Sequence, residues 1–215
     1  MFELNLGEHR LRRFVNPLYD VNSFWVTLNK SNKAIDLLID CGSEDLNDLI
    51  PKDVSFDAVF LTHGHHDHIL GLQKFLQYRK NTPVIGTIQA LECLASPKLN
   101  LSYYIGDEVK VFARNTIHLN DLERLKTMEI IEAVGFLNTP GHNNGSVSYF
   151  IGPFMFTGDS WIPEKRTITC LPYGDKKAAK KSEELLRLMH KDYPIICPGH
   201  GSIFHQCDLV NEILD

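Results

Sequence analysis

Apolar runs broken by turn residues set the rhythm of this chain. Phe24 to Asn29 (FWVTLN) and Ala34 to Asp40 (AIDLLID) are rich in β-branched and aromatic residues and flank Lys30-Ser31-Asn32-Lys33, which predicts two strands joined by a turn. Asp57 to Thr62 predicts a short buried strand. Leu70 to Arg79 places Leu72, Phe75 and Leu76 at helical spacing, and Pro83 to Gly86 opens another strand. The second half repeats the alternation, with strands over Met128 to Leu137, Ser146 to Ile151 and Phe154 to Thr157. A helix over Asp175 to Lys191 follows, with Ala178, Leu185, Leu188 and Met189 close to one face, then a strand over Tyr193 to Cys197 and a helix over Gln206 to Leu214. Residues 96–126 carry no clear period and read as an excursion over one face. Two strand-rich halves, each followed by helices, predict one α/β (α+β) domain over residues 1–215, two sheets face to face with helices outside.

Composition narrows the classes. At 215 residues, with 43% hydrophobic and 23% charged positions, the chain is long enough to bury a sizeable core. A net charge of -5 supplies no global basic field for nucleic acid or an anionic membrane. The opening MFELNLGEHRLRRF places charges where a secretory leader needs an apolar stretch, and no apolar run nears the roughly 20 residues of a membrane span. Five cysteines (Cys41, Cys93, Cys170, Cys197, Cys207) are odd in number and scattered, which reads as reduced thiols in the cytoplasm. These observations disfavour nucleic acid and exclude a membrane. No feature specifies an oligomeric state.

Ten histidines are the compositional surprise. His63-Gly64-His65-His66-Asp67-His68 follows a buried strand, and such packing suits chelation: His63 and His65 can close on one ion while Asp67 and His68 turn toward another. A solvated polar loop, or an accidental His cluster of the kind a purification tag imitates, is the bland reading; position inside the chain and the interposed Asp argue against a tag. Gly64 lets the backbone bend where a side chain would crowd the metals. Thr139-Pro140-Gly141-His142, Phe156-Thr157-Gly158-Asp159-Ser160 and Cys197-Pro198-Gly199-His200-Gly201 each place one ligand-competent side chain beside glycine at the end of a predicted strand. A lone His or Asp there is usually a cap or turn residue. Three in order behind the cluster are not dismissed together.

This ordered set resembles the five motifs of the metallo-β-lactamase superfamily. The resemblance runs from about Asp40 to Gly201, with Asp40-Cys41-Gly42 similar to the first motif. It implies a four-layer αββα sandwich of two mixed β-sheets with helices on the outer faces. It also implies one ion held by His63, His65 and His142, a second held by Asp67, His68 and His200, Asp159 bridging them, and Asp40 orienting a ligand from outside the coordination sphere. The implied cofactors are two divalent metal ions, zinc first, with iron or manganese as alternatives. Such a site makes a hydroxide nucleophile from water and needs no nucleophilic side chain. Asp67 and Asp159 are the catalytic candidates, with Asp67 able to assist proton transfer. His65 in place of a carboxylate sets the chain apart from the flavodiiron branch. Asp159 in place of Cys sets it apart from the main zinc lactamases. Cys170 reads as structural, His66 as solvent-facing, and His9, His118, His190 and His205 as surface or hydrogen-bonded residues.

The pattern is closest to the short, single-domain glyoxalase-II-like hydrolases. The chain ends soon after His200 and is expected to lack the helical domain with which classical glyoxalase II enzymes bind glutathione. Leu171-Pro172-Tyr173-Gly174-Asp175 is similar to their Pro-x-Gly-Asp segment. Asn143-Asn144-Gly145-Ser146 departs from their Thr-x-Gly-His, and only Lys165-Arg166 represents their Gly-Arg turn. The resemblance implies thioester or related ester hydrolysis, with Lys165, Arg166 and Tyr173 as candidate substrate contacts and a solvated loop as the alternative. Tyr103, Tyr104 and Trp161 read equally as pocket or core. A phosphodiesterase or nuclease on the same dinuclear core is the leading alternative, but it calls for a basic groove. Lys176-Lys177-Ala178-Ala179-Lys180-Lys181 reads instead as an exposed helix face. A lactonase would carry Tyr just after the bridging Asp, and the third residue after it here is Ile162. A mononuclear iron persulfide-type dioxygenase and a non-catalytic binding protein complete the alternatives.

Overall fold

The structure is a computed structural model, and it describes residues 2–30, 33–128, 130–163 and 165–205. Two compact units meet in the sequence at Ile130 and Ile131, and each carries its own mixed sheet.

The first unit opens with an antiparallel meander of β1 (Phe2–Leu6), β2 (His9–Asn16), β3 (Val21–Lys30) and β4 (Lys33–Ile39). After α1 (Leu46–Leu49) comes β5 (Ala58–Phe60). Then follow α2 (His66–Ile69), α3 (Leu72–Tyr78), β6 (Val84–Gly86), α4 (Ile88–Cys93), β7 (Thr116–His118) and α5 (Leu122–Thr127). The sheet order is sequential, and β4, β5, β6 and β7 run parallel. Parallel strands covered on both faces read as continuous apolar runs, and Ala58-Val59-Phe60 is buried throughout. α3 turns Leu72, Phe75 and Leu76 inward, as its spacing predicts, onto a core with Trp25, Leu38, Phe56 and Val59.

The sequence reading passed over β1 and β2. In β2 the apolar alternation is disguised because arginines do part of the burying. The Arg12 guanidinium lies 4.2 Å over the Trp25 ring, and Arg13 donates to Asn22 Oδ1 at 2.7 Å. Residues 96–126 are also more than an excursion, since they supply β7 at the sheet edge, α5, and a 3-10 turn over Ser102–Ile105.

The second unit holds β8 (Gly135–Asn138), β9 (Val147–Ile151), β10 (Phe154–Gly158), α6 (Lys176–Met189), β11 (Ile195–Pro198) and β12 (Phe204–His205). Sheet order is β12-β11-β10-β9-β8, antiparallel except for the β10–β11 pair. Two expectations are corrected here. The strand placed from Met128 begins at Gly135, because Met128 caps α5 and a 3-10 turn intervenes. The inward face of α6 is Ala179, Ser182 and Leu186, while Leu185 and Leu188 are exposed. Ser182 tolerates burial because its hydroxyl donates to Pro140 O at 2.7 Å. The helix expected over 206–214, Cys207, and Ser31 and Asn32 of the first turn lie outside the described residues.

Among the described residues, Cys41 and Cys93 are buried free thiols, Cys197 is buried, and Cys170 is exposed rather than a packing residue. No described helix is long and apolar enough to cross a membrane.

Candidate metal centre

Because β4, β5 and β6 run parallel, their C-terminal ends share one edge of the first sheet, where Asp40 and the histidine cluster emerge. Asp40 sits in the left-handed region at φ +57°, unusual for a residue with a side chain. Its amide donates to Phe60 O at 2.9 Å, which helps to fix that conformation. The buried carboxylate accepts three hydrogen bonds: Thr62 N on Oδ1 at 2.8 Å, and on Oδ2 the Thr62 hydroxyl at 2.6 Å and His68 Nδ1 at 2.8 Å.

These contacts set the histidine tautomers. A carboxylate can only accept, so His68 carries its proton on Nδ1 and presents Nε2 as a lone pair. Thr62 has one hydroxyl proton and spends it on Asp40. Its oxygen therefore accepts from His63 Nδ1, 3.2 Å away, and His63 likewise presents Nε2. His63, His65 and His68 are all buried, with the His63 ring 4.6 Å from that of His65 and 4.1 Å from that of His68. Asp67 Oδ2 lies 3.9 Å from His68 Nε2. Three buried imidazoles this close cannot all be protonated without strong repulsion. Neutral rings with inward lone pairs beside a carboxylate are the donor set of a borderline divalent cation.

Gly64 is required for a different reason from the one the sequence suggested. A Cβ there would lie 2.4 Å from Cys93 Cβ and 3.0 Å from Ala90 O, so α4, not the metals, excludes a side chain. His66 does not face solvent either. It is half-buried, edge-on to Tyr19 with ring centroids 5.4 Å apart, and its backbone amide donates to Asn100 O at 2.9 Å.

The second unit builds its own cluster by the same logic. β8, β10 and β11 point the same way, so His142, Asp159 and His200 leave one edge of that sheet. His142 Nε2 and His200 Nε2 lie 3.3 and 3.4 Å from Asp159 Oδ2. His142 Nδ1 is 2.8 Å from Ile168 O, and a carbonyl only accepts, so this ring also holds its proton on Nδ1. A neutral Nε2 would then direct a lone pair at a carboxylate oxygen, and a cation between them turns that repulsion into ligation. Hydroxyls brace the loops: Thr139 Oγ1 lies 3.0 Å from Ser148 Oγ and 2.9 Å from Ser160 Oγ, and Ser160 Oγ donates to Thr139 O. Gly141, at φ +140°, lies where a Cβ would be 2.2 Å from Ala179 N, which lets α6 close against this loop.

Lys165, Arg166 and Tyr173 occupy the exposed loop between Trp161 and α6. Trp161 itself is core, packed with Phe150, Met155 and Leu186 and covered by the Arg187 guanidinium at 4.8 Å, whereas Tyr103 and Tyr104 are exposed. Lys176, Lys177, Lys180 and Lys181 lie exposed along α6, as read from sequence, and Lys180 is 3.9 Å from Glu184. A cavity of about 320 Å³ in the first unit is lined by Phe56, Tyr78 and Arg79 and contains no motif residue. Sequence reasoning missed Thr62 and the Ile168 carbonyl. A hydroxyl directly before the cluster was a usable signal for the first, while a backbone carbonyl leaves none.

The metallo-beta-lactamase superfamily model matches residues 17–200, and the chain belongs to that family. It is 31% identical over 201 residues to a hydroxyacylglutathione hydrolase of Pectobacterium atrosepticum, covering 92% of this chain and 68% of that protein. It is 29% identical over 146 residues to the one from Pectobacterium carotovorum, covering 67% of this chain and about half (49%) of that protein. Among solved structures, the BLEG-1 B3 metallo-beta-lactamase superposes with a TM-score of 0.72 at 21% identity, over 94% of this chain and 96% of that one. TTHA1623 in a di-iron-bound form gives 0.65 at 24%, over 95% and 94%. The two mixed sheets with helices are thus the α/β fold of this family.

Proposed function

We propose that the chain is a dinuclear metal-dependent hydrolase acting on the thioester of a small molecule, as the names of its hydroxyacylglutathione hydrolase relatives imply. The observation that carries this reading is the set of tautomers. Asp40, Thr62 and the Ile168 carbonyl turn three Nε2 lone pairs, those of His68, His63 and His142, to one task. By likeness to the family, His63, His65 and His142 would hold one ion, Asp67, His68 and His200 would hold the other, and Asp159 would serve both. The histidine-rich set favours zinc, with iron or manganese as the alternatives.

When bound, the two ions supply Lewis acidity toward the acyl oxygen and a nucleophile drawn from water near neutral pH. The chain's own groups do the rest. Asp40 holds His68 directly, and His63 through the Thr62 hydroxyl, in the ligating tautomer without touching substrate. Asp67, with a side chain 17% exposed, takes a proton from the attacking water and returns it to the leaving sulfur. Lys165 and Arg166 meet an anionic group of the thiol carrier, with Tyr173 beside them on the same loop. The scattered thiols suit a reducing, cytoplasmic setting.

The test is turnover of hydroxyacyl thioesters, lactones and bis-aryl phosphodiesters by one metal-loaded preparation. The thioester is expected to lead in kcat/KM by roughly tenfold or more, a margin of about 1.4 kcal/mol in transition-state binding. Preference for the phosphodiester would overturn the reading.

A further inference from the structure

In the first unit, β1 forms one edge of the seven-stranded sheet, and its outer side has no strand neighbour among the described residues. Edge strands are commonly blunted by Lys, Pro or a bulge, because open backbone groups invite pairing. Phe2-Glu3-Leu4-Asn5-Leu6 has none of these devices, and its register against β2 is unbroken. Phe2 and Leu6 are 46% and 37% exposed. They share a face with half-buried Leu4, which lies opposite the buried Leu11.

The hairpin fixes which backbone groups point outward. Gly7-Glu8, with Gly7 at φ +57°, is a two-residue turn that closes on the Leu6–His9 pair. In such a hairpin the closing pair exchanges both hydrogen bonds, and bonded and non-bonded pairs alternate from there. Leu6, Leu4 and Phe2 therefore turn N–H and C=O toward β2, and Glu3 and Asn5 turn theirs away from it. No described residue takes these outward groups up. Two donors and two acceptors are left along one open edge.

From this geometry we infer that β1 is a dimer interface: it pairs antiparallel with β1 of a second copy of the chain, about a two-fold axis at Leu4. The strand is self-complementary in that register. Glu3 opposes Asn5 of the second copy, and the two such pairs exchange four hydrogen bonds, which satisfies every outward group on both strands. Leu4 faces its own copy in the non-bonded position, where side chains come closest, and Phe2 faces Leu6 on the same apolar side. Charge agrees. Arg12 Nε lies 2.7 Å from the Glu3 carboxylate, and Arg10 stands opposite Asn5. The row across the joint therefore reads Arg12 and Glu3 of one copy, then Asn5 and Arg10 of the other, a carboxylate flanked by cations. Other registers are poorer. An axis at Glu3 sets like charges opposite each other, which destabilises a pair, and an axis at Asn5 leaves the Glu3 groups unpaired. This match of the strand to itself is why the occupant is a second copy and not an unrelated strand.

The experiment is analytical ultracentrifugation of the metal-loaded full chain from about 1 to about 200 μM, a range suited to an interface smaller than the standard size. Wild type is compared with Asn5→Pro. Proline is tolerated on an edge strand where its missing N–H faces outward, so this variant keeps the bonds to β2 and takes two of the four bonds between copies. Wild type is expected to show a monomer–dimer equilibrium, and Asn5→Pro to raise its dissociation constant about tenfold or more, a loss of about 1.4 kcal/mol, with circular dichroism unchanged. Independently, Leu4→Cys in a Cys170→Ser/Cys207→Ser background is expected to form a disulfide-linked dimer on mild oxidation, because the Cα atoms of a non-bonded pair lie about 4.5 Å apart, within disulfide reach. Leu122→Cys in the same background is the control, since Leu122 is exposed on α5, which Arg124 ties to β7 at the opposite edge of the sheet. A chain monomeric throughout the series overturns the interface, and so does a dimer that Asn5→Pro leaves unweakened. Should that variant fail to fold, the cross-link decides. Faster linkage through Leu4→Cys upholds the register, and linkage no faster than through Leu122→Cys overturns it.

Discussion

Asp40→Asn tests the tautomer argument most sharply, because it preserves shape and removes only the property the argument needs. The carboxylate takes protons from Thr62 N, the Thr62 hydroxyl and His68 Nδ1 at 2.6–2.8 Å, and it is almost wholly buried. An amide can accept at one position only. If its NH₂ faces Thr62 Oγ1 and His68 Nδ1, the hydroxyl must donate to His63, and both rings are driven to carry the proton on Nε2, where a metal must bind. If the amide turns over, its NH₂ faces the Thr62 N–H. The first orientation forfeits the ligating tautomers, and the second leaves a buried donor against a donor, a cost of about 1–3 kcal/mol. Loss of an outer hydrogen-bond partner of a metal-bound histidine generally lowers metal affinity about 10–100-fold. We therefore expect chelator competition at fixed pH to report a fall within that range, with turnover falling in parallel. Affinity within about threefold of wild type would refute the reasoning.

Other substitutions probe other links. Asp159→Ala removes the carboxylate against which His142 and His200 are set, so metal occupancy and turnover should both drop sharply; full activity with two bound metals would refute the bridge. Gly141→Ala puts a methyl 2.2 Å from Ala179 N at φ +140°, and should lower stability by about 3 kcal/mol or more, read from denaturant unfolding. Burial pushes the Cys93 thiol up to about 11 and raises Cys41 further, so at pH 8 an alkylating reagent should mark Cys170, and neither of these two, in the native protein. Peptide mapping by mass spectrometry checks this. The backbone amides of Ala178 and Lys177 hold the Asp175 carboxyl below its ordinary 3.8. Its capping of α6 is therefore fully present above that value and lost as pH falls through the lower, folded one. Asp175→Asn should remove this part of the acid dependence of Tm.

The candidate metal cluster was legible as a candidate because its residues are local in sequence and their chemistry is rare. The buried strand before His63 and the inward face of α3 were legible because parallel strands and amphipathic helices write simple periods. What escaped reading depended on contacts between distant residues. β2 hides behind arginines that stack or hydrogen-bond instead of facing water, and β7 is three residues of edge strand with too little pattern to announce itself. In α6, Leu185 and Leu188 drew the predicted face away from Ser182, whose burial depends on a carbonyl 42 residues earlier. Gly64 was rightly singled out, but its cause, the packing of Cys93, belongs to a helix the sequence did not place against it. Candidate ligands could thus be named from sequence, whereas the groups that fix their protons, Thr62 and the Ile168 carbonyl, required coordinates.

The most direct test of the central claim is elemental analysis of the purified chain, followed by thioester turnover on that same preparation before and after chelation. The account predicts close to two divalent ions per chain, zinc foremost, with activity lost on chelation and restored by the metal. Absence of stoichiometric metal even after reconstitution, or thioester turnover indifferent to its removal, would contradict it.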